Sequence, residues 1–309
     1  MAVRMRALMT DHSQRRTGLL YAFAAFLTWG SFPLYLQFVH GVPPLEFIMH
    51  RSVWALVFVV LMLTLMRHWA WLPQVLRQPR KLLVFVFTAL LLSSNSLVYV
   101  YAVQTGHVLE TSLGYFINPL ISVLLGVMVL GEKLRRVQWV AVALAACGVA
   151  WLTWHAGKLP WMGLVLAVSF GVYGLVRKTA PLGAMEGMAL ENLLLAPVML
   201  PALAWWTLNH GGVLAQGVST QLGWLLLAGP LTALPLLWFA AAARRLPLAT
   251  VGMVQYVSPS LQFVLAVWVL HEPFSAPRLL GFAAIWAALG LLSVDALGSR
   301  RRLALARAD

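Results

Sequence analysis

The chain has 309 residues, of which 61% are hydrophobic and only 10% are charged, and its net charge is +13. A water-soluble domain averages about 25% charged residues, so this composition excludes an ordinary globular protein and favours one whose solvent is the lipid bilayer. Nucleic-acid-binding proteins gather their basic residues on one face or in one tail. Here the basic residues alternate between loops, which argues against nucleic acid as a partner.

Long apolar stretches recur along the whole chain, and a membrane helix needs about 20 mostly apolar residues. The first stretch shows no clear small-residue cleavage site, so we predict a retained helix and not a signal peptide. The runs are too long and continuous for the strands of an outer-membrane barrel. We therefore predict an all-α membrane protein with ten transmembrane helices, at 17–39, 45–66, 81–103, 107–130, 135–153, 159–177, 184–206, 222–243, 247–270 and 277–297.

The loops differ in charge in strict alternation. Nineteen of the 22 basic residues belong to one set of loops and tails, whereas the other set holds only Lys158 and Arg278, and Arg51 falls inside a span. Basic loops stay in the cytoplasm. We therefore predict a multi-pass protein of the bacterial inner (plasma) membrane, with cytoplasmic tails at 1–16 and 298–309.

The second half of the chain echoes the first at an offset of 140 positions. The matched pairs are Pro119 with Pro259, Glu46 with Glu186, and Glu132 with Glu272. We predict two five-helix repeats, 17–153 and 159–297. Because five is an odd number, the second repeat enters the membrane from the opposite face, so the two repeats are inverted. Inverted repeats are typical of alternating-access transporters, with a site near the midplane. The alternative is that duplication only built a stable bundle.

Polar residues inside a membrane are costly and mark functional sites. In the fourth span Glu110 and Asn118 recur on one helix face, and the ninth span contains Gln255 and Ser258. We predict that all four line a substrate cavity; hydrogen bonding between helices is the alternative. The central prolines of these two spans each remove a backbone donor, which either breaks the helix beside the cavity or simply kinks it; they are Pro119 and Pro259.

The second, third and seventh spans supply the other cavity candidates: Arg51, His50, Asn95 and Glu191. Snorkelling is the alternative for Arg51, and packing as a neutral side chain is the alternative for His50. At 1.5 Å per residue, Arg51 lies ~9 Å and Glu110 ~5 Å from the outer face, so we predict that they pair. Glu191 is the weaker partner because it lies nearer the cytoplasm.

Short motifs extend over nearly the whole chain. The segment 109–120, LETSLGYFINPL, resembles RarD-type proteins in the EamA branch of the drug/metabolite transporter superfamily. Further matches are WG at 29–30, HR at 50–51, LGE at 130–132, YGLVRK at 173–178 and QY at 255–256. This resemblance implies ten helices in two inverted repeats, a central cavity, and efflux or exchange of small organic molecules. The RarD group is usually described as chloramphenicol-sensitivity permeases.

Catalytic and nucleotide-binding motifs are missing from the sequence, which has no Gly-x-Ser-x-Gly elbow, no His-Glu-x-x-His and no Walker A segment. We therefore predict an ATP-independent secondary transporter of metabolites or drugs that works without a cofactor. A passive channel or uniporter is the alternative, and an intramembrane enzyme is a weaker one. The expected partners of the secondary transporter are a small-molecule substrate and the bilayer. Protons are a candidate coupling ion, and a homodimer is a candidate assembly.

Overall fold

The computed structural model describes residues 2–39, 41–104, 108–157, 161–217, 219–269 and 276–305. Side chains are described from residue 14 to residue 294, apart from positions 40, 100, 103–113, 156, 158–160, 218, 266–267, 270–276, 278 and 293. Within these residues the protein is all-helical, as predicted.

Ten helical regions correspond to the ten predicted spans. Eight described segments are long and apolar enough to cross a membrane, and two shorter apolar segments, Gly114–Met128 and Leu279–Leu292, lie in the fourth and tenth regions. The helices are α1 (Ala2–Leu36), α2 (Pro44–Leu65), α3 (Trp71–Leu76), α4 (Pro79–Gln104), α5 (Val108–Met128), α6 (Arg136–Ala156), α7 (Trp161–Thr179), α8 (Ala184–His210), α9 (Thr220–Arg245), α10 (Leu248–Gln255), α11 (Val257–Trp268) and α12 (Ala276–Leu305).

The short helix α3 was not predicted, whereas a break or a kink of the ninth span near Pro259 was. Only Tyr256, whose backbone stays in the helical region (φ −61°, ψ −15°), separates α10 from α11, and Pro259 falls in the first turn of α11, where a helix does not need the missing N–H. By contrast, α5 runs without interruption through Pro119. The ninth span is therefore interrupted for one residue beside its proline, whereas the fourth span is continuous at its proline.

The helices pack in a regular pattern. Helix α1 contacts α9 and α11, α7 contacts α4 and α5, and three further pairings are α2 with α8, α5 with α10, and α6 with α12. Large apolar side chains such as Leu65, Trp154 and Leu208 point outward from the bundle. Such a surface suits a lipid environment.

Small residues allow two helix pairs, α2 with α9 and α5 with α10, to approach closely. A Cβ added at Gly229 of α9 would lie 2.4 Å from the Trp54 carbonyl oxygen of α2, and one added at Gly252 of α10 would lie 2.7 Å from the Pro119 carbonyl oxygen of α5. Backbones at this separation leave no room for a side chain. The two contacts hold α2 against α9 and α10 against α5.

The bundle has two ends that differ in charge. We call the end with residues 66–78, 129–135, 180–183 and 246–247 the basic end, because it contains most of the described Arg and Lys residues outside the spans. The opposite end contains residues 41–43 and 211–217.

Candidate substrate site and polar clusters between the helices

Arg51 lies between α2, α4 and α5. Its Nη2 donates a hydrogen bond of 2.8 Å to the Ser96 hydroxyl, and the Tyr99 and Tyr115 phenols lie within electrostatic range of the guanidinium. The two tyrosine rings are 6.5 Å apart. The buried Arg51 Nε has no hydrogen-bond partner. This cluster therefore brings together a cation and two phenols in the first half of the bundle, with Tyr115 39% exposed.

The predicted pairing of Arg51 with Glu110 involves a side chain outside the described ones. Glu110 belongs to α5, but the position of its carboxylate is not described. The pairing stays a prediction.

His50 does not share the contacts of Arg51 but lies between Trp54 and Glu46 of its own helix. It is fully buried, and its Nδ1 accepts a hydrogen bond of 3.1 Å from Trp54. Its Nε2 is 3.7 Å from Glu46, which is too long for a hydrogen bond. The Glu46 carboxylate instead accepts the backbone N–H of Val213 at 2.6 Å. His50 thus lies in a packed network that connects α2 to the loop after α8.

Asn95 connects α4 to α7. Its amide nitrogen donates to the Leu166 carbonyl at 3.0 Å and to the Ser169 hydroxyl at 2.8 Å. Both of these donor positions are used within the bundle, which is the interhelical role that small polar side chains commonly have in membranes.

Asn118 of α5 and Gln255 of α10 belong to two helices that pack together. The Asn118 side chain is 4% exposed and the Gln255 side chain 6% exposed, and the carbonyl oxygen of each amide has no hydrogen-bond partner. The Tyr256 hydroxyl is also buried without a partner. Ser258 lies one turn further, and its backbone carbonyl packs near Gly30 of α1. Unsatisfied polar atoms in the bundle are positions where a polar ligand gains hydrogen bonds.

Glu191 forms a buried ion pair with Arg177, a residue that the alternating charge pattern predicts to be a loop charge. Arg177 is 1% exposed and Glu191 is 2% exposed; the Arg177 Nε is 3.8 Å from the Glu191 carboxylate. The Tyr173 hydroxyl donates to the same carboxylate at 3.3 Å. Arg177 Nη2 also donates to the Ala184 carbonyl at 2.8 Å. Glu191 is therefore not near Arg51 but joins α7 and α8 at the basic end.

Glu132 caps a helix, but not the one that follows it in sequence. Its carboxylate accepts the backbone N–H groups of Leu248 at 2.6 Å and Ala249 at 2.9 Å, which begin α10. Lys178 Nζ is 3.9 Å from the same carboxylate. The start of α6 is instead capped by the Gln138 side chain. Glu132 therefore caps α10, although in the sequence it comes shortly before α6.

A cavity of about 480 Å³ opens at the opposite end of the bundle. The side chains that line it include Glu46, Trp206, His210, Gln216 and Gln221. The Trp206 ring stacks on the His210 ring at a centroid distance of 4.4 Å. Within the described residues, no group of three or more His, Cys, Asp and Glu side chains could hold a metal ion.

The contacts of Tyr173 and Arg177 with Glu191 were weakly indicated by the sequence. Tyr173 and Arg177 are four residues apart, so they share one helix face, and both belong to the YGLVRK motif. Their partner Glu191 lies in another helix, and no pattern within one helix reveals its rotation toward a neighbour.

Residues 16–154 match the model of the EamA-like transporter family. An uncharacterized transporter of Pseudomonas aeruginosa is 43% identical, over 93% of this chain and 97% of that protein. Protein RarD of Streptomyces exfoliatus is 44% identical, over 95% of this chain and 93% of its own length. Protein RarD of Escherichia coli is 41% identical, over 94% of this chain and 99% of its own length.

A solved crystal structure also matches, with a TM-score of 0.68 and 19% identity, over 94% of this chain and 99% of that one. At that identity the likeness shows the fold alone. The family match and the relatives that cover nearly the full chain also show the family to which this chain belongs. This chain belongs to the EamA-like transporter family as a RarD-like member, and it is a multi-pass membrane transporter of a small molecule and not an enzyme.

Proposed function

We propose that this transporter moves small organic metabolites or drugs without ATP, by export or exchange, through alternating access. The observation that carries the proposal is that Arg51, Asn118 and Gln255 are among the residues whose buried polar atoms have no hydrogen-bond partner. Leaving such groups unpaired away from water is costly. A substrate that pairs with them gains those hydrogen bonds only when it enters the bundle.

The helix contacts support two inverted repeats. When the two repeats are compared helix by helix, α1 corresponds to α7, α2 to α8, α4 to α9, α5 to α10–α11, and α6 to α12. The observed α1–α9 contact then corresponds to α7–α4, and α5–α7 corresponds to α1–α11. The pairs α2–α8, α5–α10 and α6–α12 map onto themselves. This symmetry, together with the sequence offset, favours repeats at 17–153 and 159–297 that rock against each other.

The Arg51 cluster suggests the substrate class. A guanidinium binds carboxylates and other anionic groups in a fork geometry, and the Tyr99 and Tyr115 rings offer apolar faces with a hydroxyl tip. We therefore expect an amphipathic or zwitterionic substrate whose acidic group faces Arg51. One relative, 32% identical, is the chloramphenicol-sensitive protein RarD of Pseudomonas aeruginosa, so chloramphenicol belongs among the first compounds to test.

The direction of insertion follows from the charge difference between the ends. Basic loops remain on the cytoplasmic side, so we place the basic end and both termini in the cytoplasm of the bacterial inner membrane. The opposite end, with its cavity, then faces outward. Protons remain the candidate coupling ion and a homodimer the candidate assembly.

A thermal-shift screen followed by counterflow tests the proposal. Purified protein is screened against metabolites and drugs, because a ligand that binds the folded state raises its melting temperature. The best compound is then loaded unlabelled into proteoliposomes, and its labelled form is added outside without ATP. A carrier accumulates the label transiently, with or without an imposed pH gradient.

Arg51→Ala should abolish this accumulation, whereas Arg77→Ala, which removes an exposed arginine of the basic end, should not. Equilibration without transient accumulation would identify a channel. Full counterflow by Arg51→Ala would remove Arg51 from the substrate site.

A further inference from the structure

Glu132 joins the two halves of the chain at the basic end. It follows α5, in the first half, but its carboxylate accepts two backbone N–H groups from the start of α10, in the second half. Both hydrogen bonds are charge-assisted, and the carboxylate also meets the partial positive charge of the α10 N-terminus. The contact is therefore a strong local link between the halves.

Lys178 strengthens the same link from α7. Its ammonium lies 3.9 Å from Glu132 and donates to the Ala243 carbonyl at 3.0 Å and to the Leu246 carbonyl. The Lys178 ammonium thus contacts the last turn of α9, and the Glu132 carboxylate contacts the first turn of α10. Since Glu132 is 13% exposed and Lys178 is 21% exposed, water screens the pair only in part.

Helix α10 is short and is held at both ends. It has only eight residues, it continues into α11 through Tyr256, whose backbone stays in the helical region (φ −61°, ψ −15°), and its basic end is attached through Glu132. Between these points Gly252 packs on α5, where an added Cβ would lie 2.8 Å from the Ser122 Cβ. Pro259, just beyond Tyr256, is a point at which such a helix bends. Helix α10 covers Ser122, which is 3% exposed.

We propose that Glu132 is the gate residue of the basic end: its carboxylate holds α10 against α5 and closes the substrate pathway there, and α10 must leave Glu132 for that end to open. The inference rests on the proposed alternating-access function. Lys178 is a positioning residue, since it acts by holding the carboxylate and the end of α9 together.

A single introduced thiol beneath α10 tests the gate. Because Cys147 is exposed on α6, the background is Cys147→Ala, and Ser122→Cys provides the thiol. The probe is a membrane-impermeant maleimide, added to the basic-end side or to the opposite side of oriented membrane vesicles. Glu132→Ala should raise the labelling rate from the basic-end side at least about tenfold, the change expected when even one of its two charge-assisted hydrogen bonds is lost.

The controls separate a gate from a simple cap. Lys133→Ala, which removes the neighbouring exposed lysine, should leave labelling unchanged. Hydrogen exchange measures the N–H groups of Leu248 and Ala249 directly. Faster exchange with unchanged labelling would show a structural cap and overturn the gate. If Glu132→Ala does not fold, Glu132→Gln keeps one oxygen acceptor but loses the charge, and an intermediate rise in labelling is expected; no rise overturns the gate.

Failure of the transport mechanism gives a different result. In an open pore the Ser122→Cys thiol would be labelled equally from both sides before Glu132 is changed. Failure of the gate alone leaves side-dependent labelling that Glu132→Ala does not alter.

Discussion

Removing one partner of the buried Arg177–Glu191 pair should destabilise the protein strongly, and removing both should cost less than the sum. Arg177→Met leaves the Glu191 carboxylate, 2% exposed, with only the hydroxyl groups of Tyr173 and Thr88. Breaking a buried ion pair in this way costs about 3–5 kcal/mol. Glu191→Gln leaves Arg177 its hydrogen bond to the Ala184 carbonyl, so we expect a smaller loss of about 1–3 kcal/mol.

The double variant measures the coupling between the two charges. In contact pairs the double effect differs from the sum by about 0.5–3 kcal/mol, and we expect the loss in Arg177→Met/Glu191→Gln to fall short of the sum by at least about 1 kcal/mol. The assay is reversible unfolding in mixed micelles, followed by tryptophan fluorescence.

Arg244→Met is the matched control, because exposed Arg244 at the same end bonds only to the Ala180 and Leu182 carbonyls among the contacts described. Combined with Glu191→Gln it should be additive within about 0.5 kcal/mol. Additive losses in the Arg177–Glu191 cycle as well would refute the pairing.

Three other predictions follow from the helix arrangement. Reporters fused in the α1–α2 and α8–α9 loops should read periplasmic, and those in the α7–α8 and α9–α10 loops cytoplasmic; a periplasmic signal at the α7–α8 loop would contradict the proposed orientation. Arg51→Ala and Glu110→Gln should each abolish transport in protein that still inserts, and their combined loss of stability should be less than additive; additive losses would rule out the pair. Gly229→Ala should destabilise by about 1–3 kcal/mol because it overpacks α9 against α2, whereas Gly223→Ala in the same helix, with open space around it, should be neutral or stabilising in the same unfolding assay.

The ten helical regions could be predicted because a bilayer imposes one strong rule. Each crossing must satisfy its backbone internally and present about 20 apolar residues, and both demands are local. The division of the ninth span was partly visible in Pro259, but Pro119 gives the same signal in a helix that continues. A proline alone does not decide between a break and an uninterrupted helix, because neighbouring groups can satisfy the freed carbonyl.

The site residues were harder to assign, since their roles depend on helix rotation. His50 and Arg51 are adjacent in sequence, yet one packs beneath Trp54 and the other reaches Ser96. Successive residues in a helix point about 100° apart, so two neighbours serve different interfaces. Asn95 was one of several polar residues in its span, and only the packing of α4 on α7 gives it the Ser169 hydroxyl as a partner.

The sequence by itself determined the solvent of this protein, its helix number, its charge asymmetry and its family, because composition, length and motif are all properties of the chain read in order. Only the tertiary structure decided which polar groups meet. Arg177 resembled a loop charge and lies buried against Glu191, and Glu132 comes shortly before α6 in the sequence yet caps α10, 116 residues away. Partners so distant in sequence leave no periodic trace in it, since the contact depends on how separate helices rotate and pack.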